Sequence, residues 1–252
     1  MKWSTAVRLA ALAAGLSLAA SPATAAEPGP LSKEAVEQIV RDYLRQHPEV
    51  VVEALTEMER RRREAAQQRS REAIAARRQE LVADADAPVA GSPAADVTVV
   101  EFFDYQCGYC KRAAPAVKEL LRTDPRVRLV YKEFPILGEE SRTAARAALA
   151  ARAQGKYVEL HDALMAATAP LTGAEVLRLA GAAGLDVARL EADMKAPAIR
   201  AAIDRNLALA QALGINGTPA FVIGGELVPG AAPLDELQRL VEQARRAAAG
   251  AK

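Results

Sequence analysis

The sequence contains only two cysteines and two histidines among its 252 residues. A structural zinc site takes about four ligands, and no further cysteine can supply them, which disfavours zinc. The basic and acidic residues nearly balance, 33 against 32, and give a formal net charge of +1. Proteins that bind nucleic acid use a basic excess, so we predict no nucleic-acid partner, and we also predict no cofactor.

Long apolar runs are also scarce, and the main one lies near the N-terminus at residues 9–20. That run has about 12 residues, whereas a membrane span needs roughly 20. Basic residues precede it and small residues follow it, which is typical of a secretory signal. We predict a signal peptide over residues 1–26, cleaved after Ala25 or Ala26, and a periplasmic protein. An uncleaved anchor is the alternative.

We predict an N-terminal helical segment at residues 27–86. Its helical pattern runs from residue 31 to about residue 85, with Ser32 as the expected N-cap and apolar residues at spacings of three and four. Pro48 should end the first helix and occupy the first position of a second one. The apolar face stops at Met58, and the charged section beyond it favours a solvated helix. Residues 31–58 either join copies of the chain or pack back onto their own domain. We favour self-association, with the charged section as a stalk.

Residues 87–252 alternate strand and helix patterns after a turn-rich linker at 86–96. Strand patterns lie at 97–103, 127–134, 219–223 and 226–228, and helix patterns lie at 111–122 and 234–248. Between them, residues 139–213 are almost entirely helical. We predict an α/β domain with a core of residues 88–138 and 214–250, interrupted by that helical insertion.

The two cysteines form the tetrad Cys107-Gly108-Tyr109-Cys110, which follows a strand pattern and opens a helix pattern. The first turn of a helix offers free N–H groups and the positive end of the helix dipole, which stabilise a thiolate. Cys107 is therefore the predicted attacking thiolate. Cys110, one turn later and facing inward, is the predicted resolving thiol.

Three other uses of the cysteine pair stay open. A purely structural disulfide would close the shortest kind of loop, which gains little stability. Zinc lacks ligands, as noted above. Cu(I) is different, because two thiolates alone can hold it, so a copper site on Cys107 and Cys110 remains an alternative use of the pair. No other metal site is predicted.

With these motifs in place, the chain resembles the DsbA-like branch of the thioredoxin superfamily, over about residues 88–250. Residues 101–111 (EFFDYQCGYCK) and 217–220 (GTPA) carry the resemblance. Residues 41–55 (RDYLRQHPEVVVEAL) are similar to the N-terminal domain of the suppressor-of-copper-sensitivity proteins of ScsC type. The resemblance implies a thioredoxin-like core with an inserted helical domain and a thiol-disulfide oxidoreductase.

The resemblance also implies that Pro219 is cis and faces the cysteine pair, whereas an ordinary trans proline is the alternative. The backbone of Thr218 would then be open to pair with a substrate strand, and Gly108 and Tyr109 would contact the substrate. Further implications are a homotrimer through residues 31–58, exported polypeptides with cysteines as substrates, and a membrane redox partner of DsbB or DsbD type.

Glu101 matches the buried acid that lies beneath the resolving cysteine in this family, where it would transfer protons. A strand residue can instead face solvent, and that alternative stays open. Lys132 is the expected charge partner of Glu101 across the sheet, although it could equally lie at the surface.

Strongly oxidising relatives have Pro-His between the cysteines, whereas Gly108 and Tyr109 supply no cation beside Cys107. Weaker thiolate stabilisation favours an isomerase over a strong oxidase, with a potential nearer about −180 mV than about −120 mV.

Overall fold

The computed structural model describes residues 30–250, and the predicted signal peptide at 1–26 lies outside them. The strands are β1 (Val89–Gly91), β2 (Val97–Phe103), β3 (Val127–Glu133), β4 (Ala220–Ile223) and β5 (Glu226–Pro229). The helices are α1 (Lys33–Gln46), α2 (Pro48–Ala76), α3 (Arg78–Val82), α4 (Gly108–Thr123), α5 (Glu139–Ala151), α6 (Tyr157–Ala166), α7 (Gly173–Ala182), α8 (Val187–Asp193), α9 (Pro197–Ala212) and α10 (Leu234–Gly250), with a 3₁₀ turn at Arg152–Gln154. Within this part of the chain, no helix is both long and apolar enough to cross a membrane.

The five strands form one mixed sheet in the order β1-β3-β2-β4-β5. β2 runs parallel to β3 and antiparallel to β4, so it lies in the middle of the sheet. Six of its seven residues are buried, as expected for a central strand that is covered on both faces. The C-terminal end of β2 delivers the chain to the cysteine tetrad.

Residues of β2 alternate between two apolar cores. Val99 and Phe103 face the larger core, which also contains Cys107 and Cys110. Val100 and Phe102 face the smaller core on the other side of the sheet. This alternation follows from the two-residue period of a strand, and it places β2 between the two layers.

Helices α5 to α9 fill the chain between β3 and β4, so the predicted helical insertion is present. In α5, buried alanines let neighbouring helices approach closely, among them Ala144, Ala147 and Ala151, each 0% exposed. The predicted fold class, an α/β thioredoxin-like core with inserted helices and an N-terminal helical segment, is confirmed.

The start of α1, its end and the start of α2 lie where the sequence predicted, whereas the second helical stretch, expected up to about residue 85, is divided into α2 and α3 and ends at Val82. The Ser32 hydroxyl accepts a hydrogen bond from the backbone N–H of Ala35 at 3.2 Å, and Pro48 opens α2. The chain divides into two compact units, one up to Met58 and one from Glu59. In the first unit, α1 has no buried residue, so its apolar face is open to solvent.

The charged section after Met58 was predicted to be solvated, and this is wrong at its C-terminal end. Ile74 and Leu81 are 4% and 1% exposed and belong to the smaller core. Lys132 is 1% exposed and donates a hydrogen bond to Asp84 at 2.6 Å. Burial raises the pKa of Asp84, but Lys132, the backbone of Asp86 and Arg205 together lower it by more. Since an unpaired buried ammonium is costly, this ion pair fixes the segment after α3 to the sheet.

The linker at 86–96 contains a strand that the sequence analysis missed. β1 pairs antiparallel with β3, Val89 opposite Val130. Its three residues are too few to show a periodic pattern. Gly91 makes the close pairing possible, because it has φ +87° and a Cβ there would lie 2.4 Å from the carbonyl oxygen of Val127.

Candidate active site

Cys107 lies where β2 gives way to α4. It is the N-cap of α4, with an extended backbone, and its N–H donates to the carbonyl oxygen of Asp104 at 3.1 Å. The helix begins at Gly108, three residues before the predicted start, because the tetrad itself forms the first turn. The backbone N–H groups of this turn therefore point toward the Cys107 sulfur, as the sequence predicted.

The structure brings Cys107, Cys110, Thr218 and Pro219 together. The Cys107 thiol donates a hydrogen bond to the carbonyl oxygen of Thr218 at 3.2 Å, and the Thr218–Pro219 bond is cis, as the resemblance implied. Cys107 is 7% exposed and Cys110 is 0% exposed, and both thiols are free. Gly108 and Tyr109 are exposed at the mouth of the site. Thus a partner can reach Cys107 but not Cys110.

The two thiols differ in acidity. Burial raises the pKa of Cys107, but interactions with the Thr218 side chain, the Cys110 thiol and the backbone of Cys110 and Tyr109 together lower it by more, so the net pKa lies below its ordinary value. Burial raises the pKa of the Cys110 thiol well above its ordinary value. Since the thiolate is the nucleophile, this difference makes Cys107 the attacking sulfur and keeps Cys110 protonated.

Glu101 is buried on β2, which excludes the solvent-facing alternative. It is 3% exposed, and burial raises its pKa to about 8. It lies opposite Tyr131 of β3 and Phe221 of β4. With Val99 and Phe103 two residues to either side, Glu101 faces the core that contains the cysteines.

The expected partnership between Glu101 and Lys132 is wrong. Lys132 lies opposite Phe102 in the β2–β3 register, one residue out of phase with Glu101. Side chains of successive strand residues point to opposite faces, so Lys132 lies on the far side of the sheet. There it pairs with Asp84, which lies 48 residues earlier in the chain.

A buried polar cluster beside the site was missed by the sequence analysis. Glu133 Oε1 accepts hydrogen bonds from the hydroxyls of Tyr105 at 3.0 Å and Tyr157 at 2.8 Å. The Tyr105 hydroxyl also lies 3.0 Å from His161 Nδ1. Glu133 ends β3 and Tyr105 follows β2, so both belong to the thioredoxin-like part of the fold, whereas Tyr157 and His161 belong to the inserted helix α6. The cluster therefore joins the inserted helices to the residues that lead into the active site.

The protons of this cluster can be assigned from its geometry. The Tyr105 hydroxyl has one proton, so if Glu133 receives it, His161 must donate from Nδ1. Burial lowers the pKa of His161 to about 4, which keeps the imidazole neutral. Burial raises the pKa of Glu133 to about 8, against the opposing effect of both tyrosines. The only sequence signal was an acid at the end of β3, next to Lys132.

A cation also lies near the tetrad, although not between the cysteines. The Arg112 guanidinium stacks over the Tyr109 ring, 4.1 Å from its centroid. If residue 108 carried a Cβ, that atom would lie 3.7 Å from Arg112 Nη1, so the guanidinium lies close to the first turn of α4. The spacing of three between Tyr109 and Arg112 on one helix could have indicated this contact.

Among residues 30–250, no group of three or more histidine, cysteine or acidic side chains could hold a metal ion. The zinc alternative therefore has no ligand set in the described part of the chain. The soft donors Cys107 and Cys110 suit Cu(I), which two thiolates can hold.

Comparison with known families agrees with this geometry. Residues 98–242 match the DSBA-like thioredoxin domain. The chain belongs to the DsbA-like thioredoxin family. Residues 33–65 of this DsbA-like protein match the copper resistance protein ScsC N-terminal domain. The family is one of thiol-disulfide oxidoreductases.

Solved structures resemble this DsbA-like protein closely. A thioredoxin-like oxidoreductase from Silicibacter pomeroyi is 54% identical and covers 67% of this chain and 98% of its own, with a TM-score of 0.66. ScsC of Proteus mirabilis in a transitional conformation is 30% identical, covering 84% and 96%, with a TM-score of 0.65. A periplasmic thioredoxin-like protein from Salmonella enterica is 32% identical, covering 67% and 95%, with a TM-score of 0.59.

Curated relatives match only in part. The Na(+)/H(+) antiporter NhaA 3 of Salinispora tropica is 35% identical over 158 residues, which is 62% of this chain. The DsbA-like protein spans about a quarter, 24%, of the length of that antiporter. The likeness therefore concerns one part of those longer proteins.

Proposed function

We propose that this protein is an exported, periplasmic thiol-disulfide isomerase that rearranges disulfides in exported polypeptides through Cys107 and Cys110. One observation carries the proposal. Cys107 caps α4 with a lowered pKa, 3.2 Å from the Thr218 carbonyl, while Cys110 behind it is fully buried with a raised pKa. An attacking sulfur and a protected resolving sulfur are what disulfide exchange requires.

The exchange proceeds in two steps. The Cys107 thiolate attacks a substrate disulfide, a mixed disulfide forms, and the second substrate sulfur leaves as a thiolate. In isomerisation, that thiolate attacks another substrate disulfide, and the newly released thiolate displaces Cys107 with no net oxidation. In reduction, Cys110 loses its proton and attacks Cys107, so Cys107 and Cys110 become the disulfide and the substrate leaves with two thiols.

Thr218 and the tetrad residues have separate proposed roles at this site. The backbone of Thr218, half-buried beside the Cys107 sulfur, would pair with an extended substrate segment, with Pro219 holding this loop in place. Gly108 and Tyr109 are exposed beside Cys107 and would contact the substrate directly. Glu101 is the proposed acceptor for the Cys110 proton, since both face the same core.

The redox potential tests the choice between isomerase and strong oxidase. Gly108 and Tyr109 contribute no cation, so we expect a potential near about −180 mV. Equilibration with glutathione buffers, followed by thiol alkylation and mass measurement, would report the reduced fraction. A potential near about −120 mV would contradict the isomerase proposal and favour an oxidase.

The N-terminal unit supports a proposed homotrimer. Its exposed large apolar residues are Leu31, Val36, Ile39, Val40, Tyr43, Leu44, Val50, Val51, Val52, Leu55 and Met58. Soluble monomers rarely expose so continuous an apolar surface. Packing of three copies through residues 31–58 would cover it. Linked catalytic domains could then attack one misfolded substrate repeatedly, because linkage raises their effective concentration.

Light scattering on the mature protein tests this assembly. We expect three times the monomer mass for the wild type, and the monomer mass for Ile39→Glu with Leu55→Glu, because buried charges would oppose packing. Gln38→Glu with Gln67→Glu adds the same charge at exposed polar positions and should remain trimeric. A monomeric wild type would end the proposal. Deletions should stop at Met58, since Ile74, Leu81 and Asp84 stabilise the catalytic unit.

The alternative function is Cu(I) binding in copper tolerance. It is favoured by the match of residues 33–65 to the N-terminal domain of a copper resistance protein, together with two neighbouring soft thiols.

For the exchange function, a membrane protein of DsbB or DsbD type is the proposed redox partner of Cys107 and Cys110.

A further inference from the structure

The first half of α4 carries positive charge that no acid on the same segment balances. Its first turn contains no acidic residue. Over residues 108–118 the charged residues are Lys111, Arg112 and Lys118, all of them basic. The N–H groups of the first turn add partial positive charge, because they form the positive end of the helix dipole. Cys107, which caps this helix, therefore lies at the start of a basic segment.

Two of these three cations already have partners. Lys118 Nζ lies 2.5 Å from the Asp162 carboxylate of α6. Lys111 is half-buried, and its Nζ donates a hydrogen bond to the carbonyl oxygen of Ala167 at 2.6 Å. Arg112 is exposed, and among residues 30–250 no carboxylate pairs with it. Arg112 is therefore the cation of this segment whose N–H donors are open to a partner.

The Tyr109 ring holds the Arg112 guanidinium in place. The central guanidinium carbon lies 4.1 Å from the ring centroid, which is within the range of a cation–π contact. The N–H donors of a guanidinium lie in its plane, so a ring beneath that plane leaves them free to bind a carboxylate. Tyr109 is 61% exposed, so the stacked pair lies at the surface of the active site.

The Arg112 guanidinium lies within reach of a polypeptide that reacts at Cys107. Residues four apart on a helix are neighbours, so Arg112 lies beside Gly108, and Gly108 directly follows Cys107. The short distance from Arg112 Nη1 to residue 108 agrees with this. An extended chain advances about 3.3 Å per residue. An acid one or two residues from the reacting cysteine of a substrate can therefore bring its carboxylate to the guanidinium.

We propose that Arg112 is a specificity-determining residue that binds a carboxylate of the polypeptide substrate, so that cysteines with an aspartate or glutamate one or two residues away react preferentially. This inference rests on the proposed exchange function and adds a substrate class. The occupant follows from charge, because an exposed guanidinium without a carboxylate partner, beside the positive end of a helix, matches an anion. Glutathione carries the same group in a small thiol, and the test separates the two sources.

The test uses the oxidised mature protein and two peptides, one with aspartates on both sides of a single cysteine and one with asparagines there. The peptide thiolate attacks Cys107, the Cys107–Cys110 bond breaks, a peptide–Cys107 disulfide forms, and Cys110 leaves as a thiolate that takes up a proton. Each rate is divided by the rate of the same peptide with hydroxyethyl disulfide, which is small and uncharged, because flanking acids change the reactivity of the peptide thiol itself. Acid quenching followed by mass measurement would report the rates.

We expect the normalised rate of the wild type to be about three- to fivefold higher for the aspartate peptide at low ionic strength, and added salt should reduce this ratio. Arg112→Gln should bring the ratio close to one, whereas Arg112→Lys should keep part of it, because the charge remains without the planar fork. Arg246→Gln is the matched control and should keep the wild-type ratio. Arg246 is exposed on α10 beside Arg245, which binds Asp96 before the start of β2, whereas Cys107 follows the end of that strand.

Three results would overturn the proposal. These are equal normalised rates for the two peptides with wild-type protein, a wild-type ratio in Arg112→Gln, and an equal loss of the ratio in Arg246→Gln, which would assign the preference to overall charge. Glutathione is measured in parallel. A dependence on Arg112 seen with glutathione but not with the aspartate peptide would overturn the polypeptide as the source of the carboxylate. Failure of the oxidised wild type to react with either peptide would instead overturn the exchange function.

Discussion

Cys110→Ser is expected to accumulate mixed disulfides between Cys107 and its substrates, because the thiol that would release them is gone. Cys107 remains at the helix N-terminus with its lowered pKa, so the attack step survives. Cys107→Ser should lose exchange completely, since Cys110 is 0% exposed and stays protonated at neutral pH. Non-reducing electrophoresis followed by mass spectrometry would identify the trapped species.

The same variant separates the two candidate functions. A protein that only holds Cu(I) between two thiolates would lose copper in Cys110→Ser and trap no polypeptide. Cys110→Ala is a useful companion, because it removes the hydroxyl that could take part in a hydrogen bond while leaving Cys107 in place. Trapping in both variants supports exchange. An absence of mixed disulfides from both, under conditions in which wild-type protein turns over substrate, would contradict the proposed role of Cys107.

Glu101→Gln is expected to change how stability depends on pH. The pKa of Glu101 is about 8 in the folded protein, against an ordinary value of 4.5. Between these values the folded state keeps the proton and the unfolded state has lost it, so unfolding releases a proton. Rising pH therefore lowers the free energy of unfolding across pH 4.5 to 8. Glutamine does not titrate, so this fall in the free energy of unfolding should be absent from the variant.

The size of the effect follows from the shift. The proton release from Glu101 on unfolding should make the free energy of unfolding at pH 7 about 3 kcal/mol lower than at pH 4.5 or below. The difference between variant and wild type should grow by about that amount over this range, whatever constant cost the buried amide adds. Urea unfolding at several pH values would measure it. Glu119→Gln, at a partly exposed carboxyl paired with Arg122, is the control and should show no such growth. Parallel curves for Glu101→Gln and wild type would mean that Glu101 ionises normally when folded.

Local signals allowed much of this fold to be predicted. Ser32 and Pro48 act on their own neighbours, so the limits of α1 and the start of α2 could be read directly. The tetrad was placed between a strand and a helix because residues 97–103 are β-branched and aromatic. Glu101 and Pro219 needed the family resemblance, since neither burial of an acid nor a cis bond follows from residue type.

The interactions that were missed connect distant parts of the chain. Lys132 pairs with Asp84 rather than Glu101, and nothing in either segment specifies which face of β3 the lysine occupies until the register is known. Tyr105 and His161 lie 56 residues apart, so their contact depends on how α6 packs. Asp104 looked like an ordinary polar residue after a strand, and its hydrogen bonds with the N–H groups of residues 136 and 137 depend on where the loop after β3 lies.

The hydrogen bonds of Glu133 connect the thioredoxin-like core to the inserted helices. This residue ends β3, yet its side chain accepts from Tyr157 of α6, and its carbonyl oxygen accepts from Asn206 of α9 at 3.1 Å. The inserted helices thus supply hydrogen bonds to a buried acid that belongs to the sheet. Replacing residues 139–213 by a short connection would leave that acid with the Tyr105 hydroxyl as its remaining side-chain donor. The thioredoxin-like core of this protein is therefore not a self-sufficient unit to which helices were added, and the two share one interior.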